Sequence, residues 1–236
     1  MKNTKLKFQY LIAATLLLGM TNSFALDDSD LQYNSIGLGF SSSSVGGYTQ
    51  KINSTGLSGS YLINDNIYIG GGVNNATFSP PGVTQVKYSG ADFGIGYRYG
   101  ISRTTDLTTV VDYSSTDITE AGYTGVTQNG KSVTFGIRSM VMPNVELGGG
   151  LGFENYQNET TNTNVALTSG TATQLYAGVK LFISKEFAVR GTYGYSSSNS
   201  STGKTYTSNS VGLSATYYFR GIVDLTVNGQ AVPGFS

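Results

Sequence analysis

The side chains of this chain that could do chemistry are carboxylates, hydroxyls and a few bases, because its 236 residues include no histidine and no cysteine. A serine nucleophile with a histidine base, a reactive thiolate and the usual zinc sites each lose an essential part. A carboxylate pair such as Asp92 with Glu154 could divide acid and base work, yet acids of this kind more often serve as partners for arginine. Gly125-Val126-Thr127-Gln128-Asn129-Gly130-Lys131-Ser132 fits the pattern G-x-x-x-x-G-K-S of a phosphate-cradling loop. That loop needs a helix after it, so that backbone amides and a helix dipole meet the phosphates. Here a period-two segment follows, and the match reads as an exposed loop. Gly70 to Gly72 and Gly148 to Gly150 read as strand glycines rather than dinucleotide fingerprints. No catalytic, cofactor-binding or metal-ligating residue is assigned, and no cofactor is expected.

The polar residues that carry most information are Asp92, Arg98, Asp112, Arg138, Glu146, Glu154, Lys180 and Arg190, each on the parity opposite to a run of apolar side chains. Counting from the nearest short turn puts Arg98, Arg138, Glu146, Lys180 and Arg190 near one end, with Asp92 and Glu154 further along. Arg138 and Glu146 flank the turn Met142-Pro143-Asn144 almost symmetrically, which predicts cross-strand neighbours. Lys180 and Arg190 flank the next short turn, Ser184-Lys185-Glu186, and would repel unless an acid or water lies between them. Glu146 is therefore expected to be shared among these bases in a network that plugs an interior; a wet interior with solvated charges is the alternative. Lys51, Lys87 and Lys131 sit at the far, loop-side ends, as ordinary solvated lysines or as contacts for phosphate groups outside the chain.

Charged residues are only 12% of the chain, against 32 glycines and 17 tyrosines. Lys2, Lys5 and Lys7 precede an apolar run from Phe8 to Met20 and the small-residue pattern Ser23-Phe24-Ala25, the form of a cleavable signal peptide over residues 1–25. Eleven basic residues then remain against 14 acidic ones, too few and too scattered for a nucleic-acid binder. No later apolar run is long enough for a membrane-spanning helix.

What must position the charges is a series of strands. Val211, Leu213, Ala215, Tyr217 and Phe219 share one parity against Gly212, Ser214 and Thr216, the signature of a strand with one apolar face. The alternation recurs at Ile36 to Phe40, Gln50 to Ile63, Ile67 to Phe78, Lys87 to Tyr99, Leu107 to Ile118, Val133 to Val141, Val145 to Phe153, Leu175 to Ile183 and Phe187 to Tyr195. Val110 breaks the rule. Short turns alternate with longer polar stretches, among them Ser41 to Gly47, a Gly, Thr and Asn-rich loop up to Gly130, Gln157 to Thr171 and Ser196 to Thr205. The pattern predicts an all-β, closed, antiparallel up-and-down transmembrane β-barrel of about ten strands, with 8 or 12 as alternatives, over residues 26–219. Tyr61, Tyr97, Tyr99, Phe187, Tyr217 and Phe219 cluster near the short-turn ends, where an interfacial girdle belongs.

The stretches Y-L-I-N-D-N-I-Y-I-G-G-G at 61–72, F-G-I-G-Y-R-Y at 93–99 and V-G-L-S-A-T-Y-Y-F at 211–219 resemble the small outer-membrane β-barrel proteins, the OmpA-like and opacity-like porin superfamily. The resemblance implies a Gram-negative outer membrane, contact with its lipid and lipopolysaccharide, and insertion by the barrel assembly machinery. That machinery would recognise the last strand through Val211, Leu213, Tyr217 and the aromatic Phe219. Residues 220–236 depart from the pattern by following that aromatic residue, and are expected to form a periplasmic tail. A non-enzymatic, monomeric surface protein with polar extracellular loops is the leading expectation, with a narrow passive pore as the alternative, for which inward glycines would leave room.

Overall fold

The computed structural model of the chain describes residues 31–46, 50–79, 84–120, 122, 125–160 and 166–219. The leader assigned to residues 1–25 and the tail assigned to 220–236 lie outside the described residues. Ten strands follow one another: β1 (Ser35–Val45), β2 (Lys51–Leu62), β3 (Ile67–Phe78), β4 (Val86–Ser102), β5 (Thr105–Glu120), β6 (Val126–Met142), β7 (Val145–Thr160), β8 (Ala166–Phe182), β9 (Phe187–Ser200) and β10 (Thr205–Tyr218). Each pairs antiparallel with its neighbours in sequence, and β1 pairs with β10, so the sheet closes on itself. The expected ten-stranded up-and-down barrel is the observed one. Closure leaves no strand edge with unpaired backbone groups, the condition for a sheet to stand in hydrocarbon.

At the seam, Ile36 lies opposite Tyr217 and Leu38 opposite Ala215, and the ladder continues past β10 through the Phe219 amide, which donates to the Asn34 carbonyl at 3.1 Å. Ile36, Leu38, Phe40, Phe93, Ile95, Tyr97, Leu107, Val111, Phe135, Leu151, Leu175 and Leu213 are among the large apolar side chains exposed on the outside. On β4 the outward parity is without charge from Ala91 to Ile101. At about 3.3 Å per residue and a tilt near 40°, that stretch is about 25 Å tall, the height of a bilayer's apolar band.

Beyond the band the polarity of the two faces reverses on the same strands. In β4, Phe93 faces out and Asp92 faces in, but further along Lys87 and Ser89 face out while Val86 and Tyr88 are buried inside. The same reversal places Ile52, Ala76, Phe78, Ile118, Val126, Tyr156 and Ala172 together with Val86 and Tyr88 in one apolar core inside the barrel's loop end. Just below it, the exposed Tyr113 and Tyr193 hydroxyls donate to Asn129 Oδ1 and Asn209 Oδ1 across their strand pairs, at 2.9 and 2.7 Å. An amphipathic ring with its hydroxyl turned to polar neighbours is the side chain expected at an interface.

This reversal explains where the sequence reading stops too early. Ser41–Val45 belongs to β1 rather than to a loop, with Ser41 Oγ and Ser54 Oγ 2.7 Å apart inside. The stretches expected as loops over 157–171, 196–205 and up to Gly130 are largely strand, leaving connections of four to seven residues at this end against two to four at the other. Serine, threonine and asparagine favour turns in isolation, but here the ladder satisfies their backbone and the apolar period simply changes face. Among the described residues, the stretches expected from sequence as polar loops are mostly strand. Val110, the exception to the alternation, faces inward because it packs against Tyr33 and Tyr68.

Several inward glycines make room for a neighbouring side chain rather than leaving empty space. A Cβ on Gly96 would overlap the ring of Tyr68, which lies across it. Gly96→Val is expected to lower the denaturant midpoint of the detergent-refolded protein by the equivalent of about 1–3 kcal/mol. Gly191→Ala, where an added Cβ meets nothing within 4 Å, should leave that midpoint unchanged. Ile118→Asp, placed in the loop-end core, is expected to make the loop-end walls cleavable by added protease while the membrane-embedded part keeps its heat-modifiable gel mobility.

Candidate functional site

The interior is divided along its axis by charge. At the turn end, Glu146 of β7 lies opposite Lys180 of β8, and Lys180 lies opposite Arg190 of β9, so an acid and two bases form one row across three strands. Arg138 of β6 is not directly opposite Glu146: the β6–β7 register shifts between Met140 and Met142, placing Glu146 opposite Met140 and Arg138 opposite Gly148. The two are diagonal neighbours, and the long guanidinium side chain spans the offset. Arg138 Nε and Nη2 donate to the two oxygens of Glu146 at 2.9 and 2.7 Å, a bidentate pair. Lys180 Nζ donates to the same two oxygens at 3.2 and 3.0 Å. The carboxylate is thus shared by two bases, all three residues being buried.

A second group stands beside it. Arg98 Nη1 donates to Asp106 Oδ2 at 3.0 Å, and the Tyr33 hydroxyl donates to that same oxygen at 2.9 Å. Tyr33 precedes β1, is wholly buried, and stacks at 5.1 Å on Tyr68, with the Arg138 guanidinium 4.9 Å and the Arg98 guanidinium 5.7 Å from its ring centre. Phe182 and Tyr218 flank Lys180 Nζ at 5.6 and 5.4 Å. Aromatic faces and carboxylates together replace the water that these cations lose on burial.

Higher in the barrel the sign changes. Asp92, Asp112 and Glu154 face the interior, and none forms an ion pair with a base among the described residues. Asp112 accepts from Ser132 Oγ at 2.5 Å, and Glu154 Oε2 accepts from Gln174 Nε2 at 3.1 Å. A cavity of about 90 Å³ extends from this acidic wall to Arg138, Lys180 and Arg190. A second of about 70 Å³, lined by hydroxyls such as Ser54, Ser58 and Ser214, shares Asn74, Asp92 and Tyr176 with it. Tyr176 thus stands at the boundary between the two chambers. No group of three or more acidic side chains able to hold a metal ion occurs among the described residues.

All eight charges singled out from sequence face the lumen, but the residues completing their surroundings were not singled out. Asp106 lies six residues before Asp112 on the same inward parity, so extending the alternation to the turn would have found it. Tyr33 offered no such signal, because it stands outside any strand. The Gly125–Ser132 match lies at the start of β6 with Lys131 outside and Ser132 inside, and no helix follows. On β10, Val211, Leu213 and Tyr217 are exposed on the outer face, and Phe219 stands one residue beyond the strand.

A closed ten-stranded sheet with an apolar outer band and a charged, side-chain-filled interior defines a transmembrane β-barrel. The family model described as outer membrane protein beta-barrel domain matches residues 64–219, and the chain belongs to that family. Its setting is accordingly the outer membrane. No curated protein matches the chain. Among solved structures, the translocator domain of the autotransporter NalP from Neisseria meningitidis is 14% identical, with 91% of this chain and 95% of that one covered and a TM-score of 0.48. The outer membrane protease OmpT from Escherichia coli is 12% identical, with 85% and 99% covered and a TM-score of 0.46. Ail, the attachment invasion locus protein of Yersinia pestis, is 18% identical, with 78% and 95% covered and a TM-score of 0.34. At these scores and identities the likenesses carry no functional inference.

Glu146→Ala leaves Arg138 and Lys180 buried without their carboxylate and is expected to destabilise the refolded barrel by about 3–5 kcal/mol. Arg138→Ala, which leaves Lys180 on Glu146, should cost less. Denaturant unfolding followed by tryptophan-free tyrosine fluorescence or circular dichroism measures both.

Proposed function

We propose that this protein is a sealed, monomeric, non-enzymatic outer-membrane barrel that acts through its outer surface. The observation that carries this reading is the packing at the turn end, where the buried Tyr33 and Tyr68 lie beside the Arg98–Asp106 and Arg138–Glu146–Lys180 groups. The apolar core at the loop end supports it, since a barrel built to pass solutes gains nothing from burying Phe78, Tyr88 and Ile118 across its path. Absence of histidine and cysteine removes the usual bases and nucleophiles of hydrolases.

In this reading the turn end, with both ends of the described chain, faces the periplasm, and the stiff strand walls with short caps project from the cell. Their outer faces carry Lys51, Lys87 and, directly opposite Tyr113, Lys131, all three facing lipopolysaccharide, and their caps meet partner surfaces. Val211, Leu213, Tyr217 and Phe219 on the closing strand present the aromatic-ended signal to the barrel assembly machinery, and residues 220–236 follow as a tail. The residues 1–25 serve as the export signal.

Single-channel recording in a planar bilayer tests the sealed lumen. The protein is expected to insert without steady open events; a stable conductance state in the unmodified protein would replace this reading with that of a narrow passive pore.

A further inference from the structure

The outer wall is not evenly filled where its apolar band ends. Across β10, β1, β2 and β3 lies an open recess of about 710 Å³, within the range of roughly 300–1,000 Å³ usual for ligand sites. Phe40, Val211 and Leu213 form its apolar side, and Asn53, Thr55, Asn75 and Thr77 its polar side, all of them facing outward. The register sets the two sides in order. Leu213, Phe40, Thr55 and Asn75 stand in one row, and Val211, Ser42, Asn53, Thr77 and then Lys87 in the next row toward the loop end. Lys51 stands two residues from Asn53 on the same parity, again toward the loop end, so two cations mark the upper rim while no charged side chain lines the recess. Elsewhere at this boundary outward polar side chains pair with each other, Tyr113 with Asn129 and Tyr193 with Asn209. Here Ser42 Oγ donates to Asn53 Oδ1 at 2.9 Å, but the side chains of Thr55, Asn75 and Thr77 form no hydrogen bond among the described residues. An outward acid, Asp117, lies beyond Ser89 of β4, two strands from Asn75, and accepts from Thr127 Oγ1 at 2.8 Å.

Polar groups at the edge of hydrocarbon gain most from a partner that brings hydrogen bonds and apolar surface together. We infer that the recess holds one lipid of the outer leaflet whose polar part is a phosphorylated, N-acylated amino sugar, as at the lipid end of lipopolysaccharide. Sugar hydroxyls and amides supply donors and acceptors to Thr55, Asn75 and Thr77, and an acyl chain runs against Phe40 and Leu213. A phosphate lies within the field of Lys51 and Lys87 at the rim. A glycerol phospholipid offers the tail and the phosphate but few neutral hydrogen-bonding groups between them. The site rests on the loop end facing out of the cell, and narrows the contact with lipopolysaccharide to one place on the wall.

The test adds purified diphosphoryl lipid A to the mature chain refolded in detergent and reads bound lipid by native mass spectrometry. One molecule is expected to bind saturably, and more tightly than phosphatidylglycerol. Thr55→Val with Asn75→Leu, a directly opposed pair, should weaken binding roughly tenfold. The matched pair Asn155→Leu with Thr171→Val, equally opposed on β7 and β8 at the far side of the barrel, should leave it unchanged. Lys51→Gln with Lys87→Gln should remove the preference for the diphosphoryl over the dephosphorylated lipid. Should the Thr55 and Asn75 variant fail to refold, Thr77→Tyr, which fills the recess, must give the same loss. No saturable adduct, equal weakening by the two opposed pairs, phosphatidylglycerol bound as tightly, a phosphate preference that survives the lysine pair, or a dimer that the lipid does not displace overturns the inference. Orientation is read apart from the site: Ser201→Cys, in the cap between β9 and β10 of a chain without cysteine, must react with an impermeant maleimide on intact cells. Absence of labelling overturns the outward-facing loop end and the site with it, whereas labelled cells with failed lipid discrimination overturn the site alone.

Discussion

A strand hands every second side chain to each face of its sheet, and in a closed barrel neither face can be traded for the other. Whatever surrounds the outside therefore dictates half of each strand, and the inside must be built from what remains. Within the apolar band the outer face is Phe93, Ile95, Leu107, Phe135 and Leu175, and the interior receives Asp92, Arg98, Asp106 and Arg138. Past the band the outer face turns to Lys87, Asn129 and Lys131, and the interior becomes an ordinary apolar core around Phe78 and Ile118. One strand thus runs through two solvents with its hydrophobic side switched halfway.

The interior charges follow from the same constraint. Polar groups placed inside a narrow barrel lose water and must find partners among themselves. At the turn end they do so compactly, with Glu146 accepting from Arg138 and Lys180 and with Asp106 accepting from Arg98 and Tyr33. Inward glycines belong to this economy of space: Gly96 gives the ring of Tyr68 its place, and Gly136 and Gly150 lie close to the Tyr176 hydroxyl. Small residues on one strand make room for a large one on the next, so the interior is filled without widening the barrel.

Much of this was readable before the structure because period two is a strong signal wherever one face is apolar. The closing strand from Val211 to Tyr217, the inward set of eight charges and the number of strands all come from that regularity. It fails where both faces change character together, as at Ser41–Val45 and Gln157–Thr160, since a chemically mixed stretch that is fully paired in space looks like a loop in one dimension. It also fails where a contact depends on register rather than parity. Arg138 and Glu146 meet diagonally through an irregularity between Met140 and Met142 that no count from the turn reveals. Tyr33 is hidden for a third reason: its place depends on Tyr68, Asp106 and Arg138, three residues far away in sequence and silent about a segment that belongs to no strand.

In the proposed sealed barrel, the position of Tyr33 couples construction to sealing. The residue sits directly ahead of β1, and β1 is the strand that meets β10 to complete the ring. Its aromatic ring packs against Tyr68 inside the wall, reachable from the same short stretch of chain that carries the seam. One short piece of polypeptide thus carries both the buried ring and the strand that completes the hoop, so that in the proposed sealed barrel the stopper is attached to the first stave.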